Sequence, residues 1–452
     1  MLNVVALTEP LLRFAPRLSA WRERGTLAHV RAAFPAVTCT AQSDYLTGVR
    51  PNAHGVVGNG WYERDDGEVR FWKQSNRLVQ APKVWDVARA RDASFTCANL
   101  FWWFNMYSSV DYSVTPRPMY PADGRKIPDV YTTPPGLRDE LQRALGPFPL
   151  FSFWGPKAAL ESSRWIAEAA THVDRRFSAT LTLVYLPHLD YDLQRAGAEG
   201  PRAQAAVRNV DGLCGDLIEH FEGSGAQVIV LSEYGIRGVS QPVHPNRVLR
   251  NAGYVAVRDE LGREYLDPGA SAAFAVADHQ VAHVYVNDPS RLNHVRQLLE
   301  STAGIERVLD ADGLGELEIN HRRSGDLIAV ARPDAWFTYY FWLDDAVAPD
   351  YARTVDIHRK PGYDPAELFL DPSIALPALT VGWKLAKRKA GLRSLLDVIP
   401  LDATLVKGSH GRRPAVDEPD TPVFMSSRRD LVRGAPIEST DVHALLLQHL
   451  FD

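Results

Sequence analysis

The sequence predicts an α/β protein: a mainly parallel sheet sandwiched by helices, with an α+β insertion capping it. Three observations carry this. Short, nearly continuous apolar runs (Leu2–Leu7, Ser94–Leu100, Leu181–Leu186 and Ala226–Leu231) end abruptly at turn residues, as strands covered on both faces do. Segments with helical spacing alternate with them, over Lys83–Ala90, Gly136–Leu145, Ala158–Arg176 and Arg202–Phe221, which is the order of strand–helix–strand units. Beyond Tyr254 the alternation stops. The reading is therefore a first part of the core over 1–258, an α+β cap over 259–395, and a return to the core over 396–452.

Composition bounds the class. The chain has 452 residues, 45% hydrophobic and 23% charged, the balance of a globular protein with room for a large core. A net charge of −5 offers no global basic field for nucleic acid. Cys39, Cys97 and Cys214 cannot build a disulfide framework, and a reducing compartment fits them. Leu2–Leu7 lacks the charged flank and length of a signal peptide. No stretch reaches the roughly 20 apolar residues of a spanning helix. The expectation is a cytoplasmic protein with no transmembrane segment.

The strand Leu2–Leu7 stops at Thr8-Glu9-Pro10. Then comes the stretch on which the chemistry turns, Phe34 to Tyr62. A loop carries Thr38, Cys39 and Thr40; a helix is expected over Ala41–Thr47, closed by Gly48. A hydroxyl at a helix N-terminus sits in the positive end of the helix dipole, where a phosphate is held and an alkoxide stabilised. Further on, Phe101–Tyr107 is strongly aromatic at a strand end. With Trp61, the side chains of Phe101 and Trp102 are expected to line a pocket for an apolar or aromatic group. Ser113–Thr133 reads as a long ordered loop bearing Arg117, Arg125 and Lys126.

After Leu181–Leu186, His188, Asp190 and Asp192 alternate. In an extended segment they point the same way, a set suited to zinc or manganese. In the cap, Asp278, His279 and His283 have metal-like spacing, as do Asp356 and His358, but structural hydrogen bonds are the expectation for both groups. The basic run Lys384–Lys389 reads as a solvated helix face that can also meet anionic lipid. Asp441–Leu450 is the closing amphipathic helix.

Phe34-Pro-x-x-Thr38, Leu46-Thr47-Gly48, Pro51, His54-Gly55 and Gly58-Asn59 together resemble the nucleophile region of type I phosphodiesterases and nucleotide pyrophosphatases, of the alkaline phosphatase superfamily. Ser232-Glu233-Tyr234-Gly235-Ile236 resembles that family's Ser-Asp-His-Gly-Met, and Gly408-Ser409-His410-Gly411 its last Gly-Ser-His-Gly. The resemblance implies Thr38 as nucleophile, Asn59 as a phosphate ligand, and two divalent metals, zinc first with manganese or magnesium as alternatives. Carried over, one metal falls to Asp190, Gln194 and His410, the other to Thr8 or Glu9, Thr38, Glu233 and Tyr234. Gln194, Tyr234 and the absent first-strand Asp depart from the pattern. His188 is the replacement ligand proposed from its spacing. Three readings follow: a phosphodiesterase or pyrophosphatase of a phosphorylated small molecule with an altered metal site; a degenerate relative that binds such a ligand without hydrolysis; and a metal-free ester hydrolase using Thr38 or Cys39.

Overall fold

The computed structural model describes residues 1–122, 125–389, 391, 394–432 and 436–452. Nine strands form the central sheet, in the order Ile437–Glu438, Thr26–Arg31, Val423–Ser426, Ile229–Leu231, Leu2–Val4, Leu181–Leu186, Cys97–Leu100, Tyr112–Pro116 and Val130–Thr133. The five strands from Ile229 to Tyr112 in that order are parallel to one another; Val423–Ser426 and the edge strand Val130–Thr133 flank them antiparallel. Leu181–Leu186 is buried at every position, because helices cover both of its faces. One helix set, Pro16–Arg24, Leu160–Phe177, His188–Ala196 and Pro201–Gly223, packs together; the other consists of Thr38–Thr47, Val84–Arg91 and Asp441–Phe451. The apolar side chains of the sheet and both sets merge into one core.

Expected strands and helices are present with ends shifted by a few residues. Two segments differ. Ser113–Thr133 is no simple loop: its ends are the hairpin strands Tyr112–Pro116 and Val130–Thr133, whose inward Val114 and Val130 outweigh the prolines. Residues 123 and 124 lie outside the described residues. The aromatic run Ala335–Trp342 reads in the sequence as strand-like but is a strand only over Ala335–Phe337; the next aromatic residues leave the sheet and fill a core with Phe274, Tyr285 and Tyr351.

A second, antiparallel sheet orders Ala273–Asp278, Val281–Val286, Leu327–Ala331 and Ile305–Leu309. It is tied to the central domain beside the strand ends: Gln280 N donates to the His410 carbonyl at 2.8 Å. Gly408 lets the chain before His410 pass close to the helix His188–Ala196. A Cβ there would lie 2.2 Å from the Leu193 carbonyl oxygen and 2.6 Å from Ile236. Gly408→Ala is expected to cost about 1–3 kcal/mol or more, since backbone must move. Thermal unfolding of the purified variant checks this, and an unchanged midpoint would contradict the packing.

Candidate active site

The helix that carries Thr38 runs from Thr38 to Thr47, and all ten residues are buried. It begins three residues earlier than the sequence pattern predicts, so Thr38 occupies its first turn. Gly48 ends it at φ 70°, as expected. Asp44 anchors it from below, accepting from His54 Nε2 at 2.9 Å and Arg50 at 3.2 Å. Asn59 fixes the other end: its Oδ1 accepts from Cys39 N at 3.0 Å, while its N and Nδ2 donate to Asp278 at 2.8 and 3.1 Å.

Thr38 Oγ1 lies 3.3 Å from the Tyr234 hydroxyl, which donates to Asp190 Oδ1 at 3.3 Å. Asp190 Oδ2 accepts from Gln194 Nε2 at 2.7 Å. Glu233 Oε1 accepts from both Asn3 Nδ2 and Gln42 Nε2 at 2.6 Å. Among the described residues neither carboxyl pairs with an Arg or Lys, and the imidazole beside Asp190, His410 with its Nε2 at 3.9 Å from Oδ1, is held neutral by burial. Burial therefore pushes Asp190 up to about 7 and Glu233 up to about 8, against the amide donors and Thr38 or Tyr234, which pull down. Asp278 is pushed up to about 6 by burial, tempered by Asn59. The Cys39 thiol is buried beside these acids and held well above its ordinary range, so it is no nucleophile at neutral pH.

Four rings close over the network. Tyr234 stacks on His410 with centroids 3.5 Å apart, His410 meets His279 at 3.7 Å, and His279 meets Tyr363 at 3.7 Å. Tyr363 also bonds the Gln194 amide at 3.2 Å. His410 Nδ1 donates to the Ala36 carbonyl at 2.8 Å and His279 Nδ1 to Asp278 at 2.8 Å. Each leaves Nε2 as a buried atom without a partner.

Thr38, Asn59, Asp190, Glu233 and His410 thus meet in one place. Other expected members do not. Glu9 is spent on Arg22 and on His29 Nε2 at 2.8 Å, and Asn3 is the first-strand residue that reaches the site. His188 begins a helix, His188–Ala196, not an extended segment. Two residues along a helix is a turn of about 200°, so His188 faces away from the Asp190 carboxyl, toward Asp192, Glu161 and Arg195. Trp61 packs with Phe34, Val56 and Val57 under Arg323. Phe101, at φ 68°, turns under Phe148, Phe153 and Trp165, and Trp102 lies in the same core. The aromatic groups bordering the site are instead Trp72, Trp103 and Trp154: Trp72 and Trp154 meet Tyr363, and Trp103 N donates to Gln42 at 2.6 Å. Asp278 and His279 do form hydrogen bonds, as expected, but at the site itself. His283 is purely structural, with Val57 and Gly325.

The family model for type I phosphodiesterase / nucleotide pyrophosphatase matches residues 2–364. The chain belongs to this family. Its fold is that of the alkaline phosphatase superfamily. Phosphonoacetate hydrolase of Sinorhizobium meliloti, solved with phosphonoformate, superposes with a TM-score of 0.61 at 14% identity, over 99% of this chain and 94% of that one. Murine ectonucleotide pyrophosphatase / phosphodiesterase 5 gives 0.58 at 13%, over 99% and 94%, and its inactive form was solved with AMP. An uncharacterized pyrophosphatase/phosphodiesterase of Schizosaccharomyces pombe is 24% identical over 246 residues, 52% of this chain and 43% of that protein. The chain spans less than half the length of that curated relative.

The divalent-metal pair implied by membership in the type I phosphodiesterase / nucleotide pyrophosphatase family does not fit these residues. Among the described residues no group of three or more His, Cys, Asp or Glu side chains is disposed to hold an ion. A zinc ion takes about four lone-pair ligands. Here the N–H groups of Asn3 and Gln42 take up Glu233 Oε1, that of Gln194 takes up Asp190 Oδ2 and the Tyr234 hydroxyl takes up Asp190 Oδ1, lone pairs a cation would need. Tyr234 and Gln194 stand where the family pattern has imidazoles, and His188 does not compensate.

Proposed function

We propose that this chain is a phosphoric ester hydrolase that attacks phosphorylated small molecules with the Thr38 hydroxyl and passes its proton through Tyr234 to Asp190. The observation that carries this reading is the hydrogen-bonded line from Thr38 Oγ1 to the Tyr234 hydroxyl to Asp190 Oδ1, each link 3.3 Å. Burial keeps the Tyr234 phenol protonated, far above its ordinary range, so it relays rather than accumulates charge. Asp190, near 7, has the basicity suited to a general base at neutral pH.

In the first step the Thr38 oxygen bonds to phosphorus. The bond to the leaving oxygen breaks, and the leaving oxygen keeps the electron pair. The Thr38 proton goes to Tyr234 as the phenolic proton goes to Asp190. The helix N-terminus and the second Asn59 N–H stabilise charge on the phosphoryl oxygens. Water oxygen then bonds to phosphorus and the bond from Thr38 oxygen to phosphorus breaks; protonated Asp190 returns its proton through Tyr234 to the departing Thr38 oxygen, and the proton shed by the water leaves to solvent with the ionised phosphate product. All these groups serve the nucleophile, so the first leaving group must depart as a stable anion. A phosphate monoester, with its second pKa of about 6, does so at neutral pH; an alkoxide does not. Pyrophosphate-linked small molecules and activated aryl esters are the substrates this favours, with Trp72, Trp103 and Trp154 meeting the non-phosphate part.

A second reading, a ligand-binding protein without turnover, is favoured by one observation: Thr38 is 3% exposed beneath the ring column. Chelator-treated protein, assayed on bis-p-nitrophenyl phosphate and on a pyrophosphate diester, separates the two. The expected result is turnover that persists in EDTA, with an acid-quenched phosphoryl adduct on the Thr38 peptide by mass spectrometry. Turnover only after zinc, manganese or magnesium is added would overturn the metal-free reading. Binding with no turnover under any condition would leave the second.

A further inference from the structure

We propose that the helix Pro377–Lys389 is a surface anchor that lies on anionic lipid. The helix is amphipathic in an unusual sense, because its outward stripe is the apolar one. Leu376, immediately before it, and Leu379 and Trp383 within it are spaced i, i+3, i+7 and are 61%, 68% and 65% exposed. Residues at this spacing share one face of a helix. The helix is fixed to the protein from its other side: Val381, with Ile374 and Leu396, packs on Ala366, Val398 and Ile399. The exposed stripe is therefore not the wrong face of a loosely placed helix. An uncovered Trp-and-Leu stripe of this kind is what interfacial helices bury in a bilayer surface.

Charge selects the partner. Lys384, Lys387, Arg388 and Lys389 fall in and around the last helical turns, and no Asp or Glu occurs between Pro372 and Leu396. This is a basic island in a chain of net charge −5. Lys384 is paired with Asp397, and the Lys387 ammonium lies 5.2 Å from the Trp383 ring. The combination of an indole at the boundary and cations beside it matches an acyl surface with anionic headgroups. It does not match a second copy of the chain, which would set one basic island against another. The helix spans only about 20 Å and, among the described residues, none is long and apolar enough to cross a membrane, so it lies on the surface.

Co-sedimentation of the full chain with vesicles tests this. Binding is expected to phosphatidylcholine vesicles containing phosphatidylglycerol and not to phosphatidylcholine alone, weakening about tenfold or more in 0.5 M salt. Leu379→Glu/Trp383→Glu and, separately, Lys387→Glu/Arg388→Glu should each abolish it, with unchanged thermal midpoints. Binding that survives both pairs, or no binding to anionic vesicles, overturns the proposal. So does a concentration-dependent dimer in light scattering that Leu379→Glu/Trp383→Glu removes, since that would assign the stripe to a second copy.

Discussion

Thr38→Ala is expected to lower turnover by at least about 10⁴-fold, the loss typical when a covalent nucleophile is deleted. Tyr234→Phe is expected to lose about 10²–10⁴-fold, the range of a missing general base. The two losses should not add: once Thr38 is gone, removing Tyr234 has nothing left to deprotonate. The double variant thus equals Thr38→Ala within error. Asp190→Asn should match Tyr234→Phe in kcat while leaving KM nearly unchanged, because Asp190 receives a proton and binds no phosphate. The measurement is steady-state kinetics on p-nitrophenyl and pyrophosphate substrates. A Tyr234→Phe protein with full activity would remove the relay; independent, additive losses would place Tyr234 on the leaving group. Cys39→Ser serves as a comparison, since that thiol is buried and lies outside the relay, while the Asn59 contact is made by the Cys39 backbone N–H.

How much of this was legible depends on how far each signal travels along the chain. The helix that begins at Thr38 and its Gly48 stop are local, and they stand nearly as expected. Asp190, Glu233 and His410 end strands or adjoin them, so the topology of the sheet brings them together once strands are recognised. The partners that decide the chemistry are different. Asn3 meets Glu233 across 230 positions, Gln42 across 191, and Tyr363 meets Gln194 across 169. Their types carry a weak signal that can be read backwards: amides and phenols cluster where imidazoles are missing. The error at His188 was one of period. Pro187 can close a strand or start a helix, and Asp190, near the positive end of the helix dipole, favours the helix. The error at Phe101 was one of direction, set by a positive φ that no aromatic residue advertises. Trp103, two residues later, points the way Phe101 and Trp102 were expected to.

Glu233→Gln is expected to stabilise the folded protein, and to do so increasingly as pH rises. Glu233 is pushed up to about 8 by burial, against an ordinary value near 4.3. Between these two pH values the folded chain holds a proton that the unfolded chain has released. The unfolding free energy then falls as pH increases, which is the opposite of an ion-paired carboxylate. At pH 5 the unfolded chain is only just above its own pKa, so the cost is still about 1 kcal/mol and the Gln variant should unfold nearest the wild type. By pH 8.5 the wild type has lost on the order of 3–5 kcal/mol that the amide, neutral throughout, keeps. Asn3 and Gln42 still find an acceptor in the Gln side chain, so the substitution isolates the proton. Buried His279 and His410, held well below the usual imidazole range by desolvation, act with the other sign: they cost stability as pH falls below about 6.5, equally in both proteins, and cancel in the comparison. The readout is the difference in thermal midpoint between variant and wild type from pH 5 to 8.5. A gap that opens with pH means that amide donors hold a largely neutral acid at neutral pH. A constant gap, or one that closes with pH, would mean that Glu233 is ionised throughout and that some positive partner holds it.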